Sequence, residues 1–162
     1  MDFILELPSS SGFDNILVIV DKLTKYTIFI PTTISITEVE TAKLFFHHII
    51  SKFGIPQQVI TDRDARWKGE FWKEICKRMG MIRSLTTAYH PQAYGHMGVL
   101  NQSLEIFLYA YVSPSRNVLV NYLGALALSY NTTPHTATGF APAYLLRGYI
   151  PTMGSTLVHH PE

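Results

Sequence analysis

Cysteine is nearly missing from the 162-residue chain: Cys76 stands alone, which excludes an internal disulfide and any zinc module built on paired Cys and His. A reducing, intracellular compartment is compatible with that usage. Charge is sparse and balanced, with 13 Lys and Arg against 12 Asp and Glu, so net charge gives little overall pull toward nucleic acid. The longest apolar stretch, Val118 to Tyr130, is broken by Asn121, Gly124 and Ser129 and cannot span a bilayer. Asp2 and Glu6 with no basic lead argue against an ordinary secretory signal. No repeat or low-complexity tract is visible, and no Gly-rich phosphate loop follows the first strand, which counts against a doubly wound nucleotide-binding fold. What remains is an ordinary globular composition, 47% apolar and 15% charged, long enough for one domain that buries roughly two-thirds of its unfolded surface.

The distribution of charge says more than its sum. Arg63, Arg66, Lys68, Lys73, Lys77, Arg78 and Arg83 put seven of the 13 basic residues in one stretch, and no acid occurs between Glu74 and Glu105. Such a face could track phosphates. It could equally be a solvated helix face balanced by Glu70 and Glu74.

Periodicity predicts strands over Met1 to Glu6, Ile16 to Val20, Tyr26 to Ile30 (ended by Pro31), Gln58 to Thr61 and Ile82 to Thr86, with a turn at Ser9 to Gly12. Ser35-Ile36-Thr37-Glu38 fits a capping box, and Val39, Ala42, Phe46, Ile49, Ile50 and Phe53 form an apolar stripe behind it. Gly54 and Pro56 stop that helix. A second stripe is Phe71, Trp72, Ile75, Cys76 and Met79, closed by Gly80. Helical stretches follow near His96 to Val112 and Asn117 to Tyr130, then a short helix with Pro142 in its first turn and Gly148 beyond its end. Three meandering strands, then helix–strand–helix–strand and terminal helices, describe a mixed sheet flanked by helices.

Phosphoryl transfer on a nucleic acid needs carboxylates that converge on divalent cations from rigid elements. Asp2 on the first strand and Asp62 at the end of the fourth could share a cation if those strands are neighbours. On spacing alone, an Asp at a strand end is more often a turn or cap residue. His47-His48 reads as an exposed helix pair, because adjacent helical residues diverge by about 100°. Trp67 and Trp72 read as core.

Several blocks carry a more specific signal: Met1-Asp2-Phe3-Ile4, Ile16-Leu17-Val18-Ile19-Val20-Asp21-Lys22-Leu23-Thr24-Lys25-Tyr26, and Thr61-Asp62-Arg63-Asp64-Ala65-Arg66-Trp67. Thr87-Ala88-Tyr89-His90-Pro91-Gln92 with Gly95, Asn101-Gln102, Tyr130-Asn131 and Thr138-Gly139-Phe140-Ala141-Pro142 continue the series. In this order, from Met1 to about Pro151, they resemble the integrase catalytic core of gypsy-like LTR retrotransposons.

The resemblance implies an RNase H-like α/β fold with a mixed five-stranded sheet flanked by helices. It also implies an Asp,Asp-35-Glu triad binding two Mg²⁺ or Mn²⁺ ions, DNA 3′-processing and strand transfer, DNA as partner, a possible homodimer, no membrane, and nuclear localisation. Carried across, the first two triad residues are Asp2 and Asp62, which would share one cation. The family's Glu, which holds the second cation together with the first Asp, falls at position 98. Here that stretch is Gly95-His96-Met97-Gly98-Val99-Leu100-Asn101-Gln102, so the flanks match and the acid does not.

Glu105 lies seven residues on, about 10 Å along a helix, too far to substitute. His96 points to another side and suits a hard cation poorly. Asp64 reads as a turn residue outside the triad. The expectation is therefore a catalytically defective core with its second ion doubtful; alternatively, it is a non-catalytic nucleic-acid-binding or dimerisation module. Val99, Tyr94 and Ala127 depart from the family's pattern in the same direction. Tyr89, His90, Gln92 and Asn101 are expected near DNA by resemblance, and Arg63, Arg66 and Lys68 are plausible phosphate contacts beside Asp62. Residues 1–150 are expected to form the core, with the first strand truncated at Met1, and 151–162 a C-terminal tail.

Overall fold

The β-branched and Leu run after Asn15 has no polar alternation, as suits a strand buried on both faces. In a computed structural model, which describes residues 1–4, 7, 11–85 and 119–151, that run is β2 (Asn15–Val20). It sits between β1 (Asp2–Ile4) and β3 (Thr27–Thr32) in an antiparallel sheet of order β1-β2-β3. Asp2 pairs with Val18 and Ile4 with Ile16, while Val20 pairs with Thr27. Side chains alternate across the sheet. Met1, Phe3, Leu17 and Ile19 enter one core cluster; Ile4, Ile16 and Val18 enter another.

β3 does not end before Pro31, as the sequence suggested, but runs through it, with Pro31 opposite Ile16. Thr27 shows why this is tolerated: its N–H and C=O are both bonded to the Asn131 side chain, so they point away from β2. Four residues on, the Pro31 nitrogen faces the same outer edge and removes no ladder bond.

The first helix also departs from expectation. α1 (Glu38–Phe45) is capped by Thr37, whose hydroxyl accepts from the Glu40 N–H at 3.3 Å while Glu40 accepts from the Thr37 N–H at 2.9 Å. The capping box is thus two residues later than Ser35 to Glu38. Both quartets fit the pattern, but the Glu38 carboxylate is engaged elsewhere, accepting from the Trp72 N–H at 2.7 Å. A π-helical turn, Phe46–Ile50, follows and leads into α2 (Ser51–Phe53). The wider turn resets the helical phase. Thr41, Ala42 and Phe45 are buried, whereas Val39, Phe46 and Phe53 of the expected stripe are exposed. Gly54, at φ 83°, ends the segment.

β4 (Gln58–Thr61) and β5 (Ile82–Leu85) pair in parallel as a separate two-stranded sheet. Among the described residues the expected single five-stranded sheet is therefore not formed: the strands make a three-stranded and a two-stranded sheet. The Met1 ammonium bridges them, donating to the Ile60 carbonyl at 2.8 Å. Between the pair lie α3 (Ala65–Lys68) and α4 (Glu70–Arg78). α4 buries Trp72 and Cys76 but leaves Phe71 exposed, contrary to the expected stripe. Trp67 and Trp72 are wholly buried, as expected of core residues.

α5 (Leu119–Thr132) packs on β3 through Leu123 and Leu126. α6 (Pro142–Arg147) has Pro at its start and a left-handed Gly148 at φ 77° just past its end, as the sequence indicated. No helix among the described residues is long and apolar enough to cross a membrane. The expected helix at 96–112 and the tail from 152 lie outside the described residues.

Candidate metal and nucleic-acid site

An aromatic column fixes the loop after β4 against β1. Phe3 stacks on Trp67 at 5.2 Å between centroids, Trp67 meets Trp72 edge-on at 5.2 Å, and Trp72 meets Phe45 at 5.4 Å. Phe3 follows Asp2 in sequence, and Trp67 sits five residues after Asp62, so this contact draws together the two segments that carry the carboxylates. Such pairs contribute about 0.5–1.5 kcal/mol each beyond their burial.

Asp2 and Asp62 lie within electrostatic reach of one another at this seam. Asp2 accepts from the Phe3 N–H at 2.9 Å, and Asp62 accepts from the Asp64 N–H at 3.2 Å. Burial raises the Asp62 carboxyl above its ordinary pKa, and the negative charges of Asp2 and Asp64 push the same way; the Asp64 N–H opposes them. The Met1 ammonium lies within electrostatic reach of both carboxylates. Its own burial nonetheless lowers its pKa to about 6. A half-buried carboxylate pair that repels itself is the electrostatic setting a divalent cation relieves. Oxygen donors of this kind suit hard Mg²⁺ or Mn²⁺. No cluster of three or more His, Cys, Asp or Glu able to hold a metal occurs among the described residues.

Asp64 takes the helix-cap role, with one oxygen accepting from the Arg66 N–H at 2.9 Å. Arg66 closes a fork on the same carboxylate, Nε to Oδ1 at 2.8 Å and Nη2 to Oδ2 at 2.5 Å. Its guanidinium also lies 3.7 Å from the Phe3 ring centroid. The side chain is only 13% exposed, so Arg66 braces the seam rather than facing solvent. Arg63 and Lys68 are exposed on either side of it. Further along, Lys73 pairs with Glu70 and Arg78 with Glu74, so part of the basic stretch is internally balanced. His47 and His48 lie edge-on, 5.0 Å apart, on the π turn, away from the carboxylates in sequence and element. Gly98, with Tyr89, His90, Gln92, His96, Asn101 and Glu105, lies outside the described residues.

No family model matches the sequence. The chain is 33% identical over 153 residues to the Transposon Tf2-3 polyprotein of Schizosaccharomyces pombe, a match covering 94% of this chain and 12% of that one. The Tf2-4 polyprotein of the same yeast matches equally. Among solved structures, the HTLV-2 integrase catalytic core domain in complex with magnesium, in its dimeric form, superposes with a TM-score of 0.62 at 17% identity, over 87% of this chain and 90% of that one. By sequence the chain belongs with the LTR-retrotransposon polyproteins, and by fold with integrase catalytic cores. A simian T-cell lymphotropic virus intasome in complex with PP2A regulatory subunit B56 gamma gives this integrase core a TM-score of 0.73 at 18% identity, covering 95% of this chain and 57% of that one. The fold is of the RNase H-like class, and the chain spans only about 12% of the polyproteins it matches.

Three residues matter here that spacing did not single out for these roles. Glu38 reaches across 34 positions to bond the Trp72 N–H at the start of α4, where the helix dipole favours a carboxylate. Gly69 makes room for it: a Cβ there would overlap the Glu38 carboxylate. Met1, read from the sequence as the start of the first strand, puts its ammonium within electrostatic reach of both acids.

Proposed function

We propose that this chain is an integrase core that has kept the Asp2 and Asp62 half of its metal site and lost the other half. The ancestral activity is DNA 3′-processing and strand transfer, with residues 1–150 forming the core and 151–162 a tail. The observation that supports this reading is the electrostatic proximity of Asp2 and Asp62, with the Asp62 carboxyl raised in pKa by burial and by Asp2, set against glycine at position 98. Asp2 and Asp62 would hold one Mg²⁺ or Mn²⁺ ion; Asp2 alone would remain for a second.

When bound, two such ions stabilise the attacking and leaving oxygens of a phosphodiester. The chain's own residues contribute placement: the aromatic column holds the seam, Arg66 braces Asp64, and the exposed Arg63 and Lys68 would meet phosphates. Tyr89, His90, Gln92 and Asn101 would approach DNA by the family's pattern. A nuclear location and a homodimer follow from the same family reading.

The test is cleavage of a labelled DNA end with Mn²⁺, run on the chain and on Gly98→Glu. Activity only in the Glu variant is expected; activity in the parent refutes the loss. Binding that survives without cleavage, and weakens steeply with salt, would mark a retained nucleic-acid module.

A further inference from the structure

Each acid of the seam is tied to a neighbouring backbone amide. The Phe3 N–H donates to Asp2 Oδ1 at 2.9 Å, and the Asp64 N–H donates to Asp62 Oδ1 at 3.2 Å. Where those oxygens sit therefore depends on where Phe3 and Asp64 are held. One side chain touches both. The Arg66 guanidinium forks onto the Asp64 carboxylate, Nε to Oδ1 at 2.8 Å and Nη2 to Oδ2 at 2.5 Å, while its carbon lies 3.7 Å from the Phe3 ring centroid.

The fork leaves Asp64 little freedom. Its Oδ1 also accepts from the Arg66 N–H at 2.9 Å, so the first turn of α3 and the Arg66 side chain grip the same carboxylate. The amide that Asp64 offers to Asp62 is thus presented by a residue fixed at its side chain. Phe3 is likewise packed twice, by the guanidinium and by Trp67, whose ring centroid is 5.2 Å away.

Stability alone does not account for this placement. Only 13% of the Arg66 side chain is exposed, and Nη1 is buried with no hydrogen-bond partner among the described residues. Taking a charge and an unpaired N–H group out of water costs free energy that a single ion pair recovers poorly. Charge is no better an explanation at a cation site, because a fixed positive group beside two acids repels the ion they would share. What the guanidinium supplies is geometry. Its N–H donors form a rigid planar fork that can grip a carboxylate and pack on a ring at once.

We propose that Arg66 is a positioning residue for the cation site: acting through the Asp64 and Phe3 amides, it holds the Asp62 and Asp2 carboxylates in place for one Mg²⁺ or Mn²⁺ ion. This role rests on the reading of Asp2 and Asp62 as that ion's ligands. It reassigns a residue that sequence placed among the phosphate contacts. It also opposes the simple electrostatic expectation, since loss of the positive charge weakens cation binding instead of tightening it. Groups that orient metal ligands from behind are typically worth about 10- to 100-fold in affinity.

Two readouts on the whole chain test this in Arg66→Met and Arg66→Lys: Mn²⁺ affinity by electron paramagnetic resonance, and hydrogen exchange at the Asp64 amide without metal. Methionine keeps an unbranched stem against Phe3 and drops the charge. Arg66→Met should raise the Mn²⁺ Kd by about tenfold or more and speed Asp64 exchange by about tenfold relative to the Leu17 amide of β2. Arg66→Lys keeps the charge but not the two-bond fork, and should show both effects to a smaller degree. A Kd that is unchanged or tighter in Arg66→Met overturns the proposal, as does Asp64 exchange that rises only in step with Leu17. Should Arg66→Met fail to fold, Arg66→Lys decides on the same criteria. A parent chain that binds no manganese overturns the ligand reading and the cation role with it. One ion bound equally well by the parent and both variants overturns the positioning alone.

Discussion

Replacing Asn131 by alanine should be among the costlier single changes outside the aromatic column. The side chain is 3% exposed and acts as a missing strand: Oδ1 accepts from the Thr27 N–H at 2.8 Å, and Nδ2 donates to the Thr27 carbonyl at 2.7 Å. Thr27 itself is 1% exposed, so water cannot readily replace either bond. Truncation strands a buried donor and a buried acceptor, each costing about 1–3 kcal/mol, for a total of about 2–5 kcal/mol. In a domain of this size that corresponds to a fall in Tm of roughly 5–15 °C.

Asn131→Asp should be at least as damaging, because a carboxylate facing the Thr27 carbonyl has no proton to donate. Equilibrium urea unfolding of the parent and both variants measures the loss, with unchanged m-values confirming that stability itself moved. A loss under about 0.5 kcal/mol for Asn131→Ala would refute the claim that this amide completes the β3 edge.

Three further outcomes follow from the geometry. Gly69→Ala should displace the Glu38 carboxylate from the Trp72 N–H, lowering stability by about 1–3 kcal/mol in urea unfolding, the range for bonds to charged groups. The Met1 ammonium, lowered from 8.0 to about 6 by burial, is protonated in the unfolded chain before it is in the folded one. Stability should therefore be full above pH 8 and fall by about 2–3 kcal/mol as pH drops to 6, a loss that N-terminal acetylation abolishes. Asp62→Asn should raise Tm in metal-free buffer at pH 7, since burial and Asp2 disfavour the Asp62 carboxylate in the fold. Added Mn²⁺ should then stabilise the parent and not the variant.

Local pattern made much of this chain legible. The unbroken apolar run of β2, the stops at Gly54 and Gly80, and the Pro142 to Gly148 frame of α6 are signals contained within a few residues. Where expectation and structure part, the deciding partner is distant in sequence. The capping box moves two residues because Glu38 is claimed from 34 positions away. β3 runs through Pro31 because its outer edge faces Asn131, 104 positions from Thr27, rather than another strand. The exposed Phe53 lies beyond a π turn that shifts the helical phase, which no 3.6-residue template contains. At the site, the pairing of Asp2 with Asp62 was visible through matching blocks and not through spacing. The Asp64 fork and Phe3 contact of Arg66 could not be read from a basic residue near an acid.

Counting bound manganese tests the central claim most directly. Titration of the metal-free chain with Mn²⁺, followed by electron paramagnetic resonance, should reveal one ion per chain, lost in Asp62→Asn, and a second ion only in Gly98→Glu. Two ions bound by the unmodified chain, persisting when Asp62 is changed, would contradict the account.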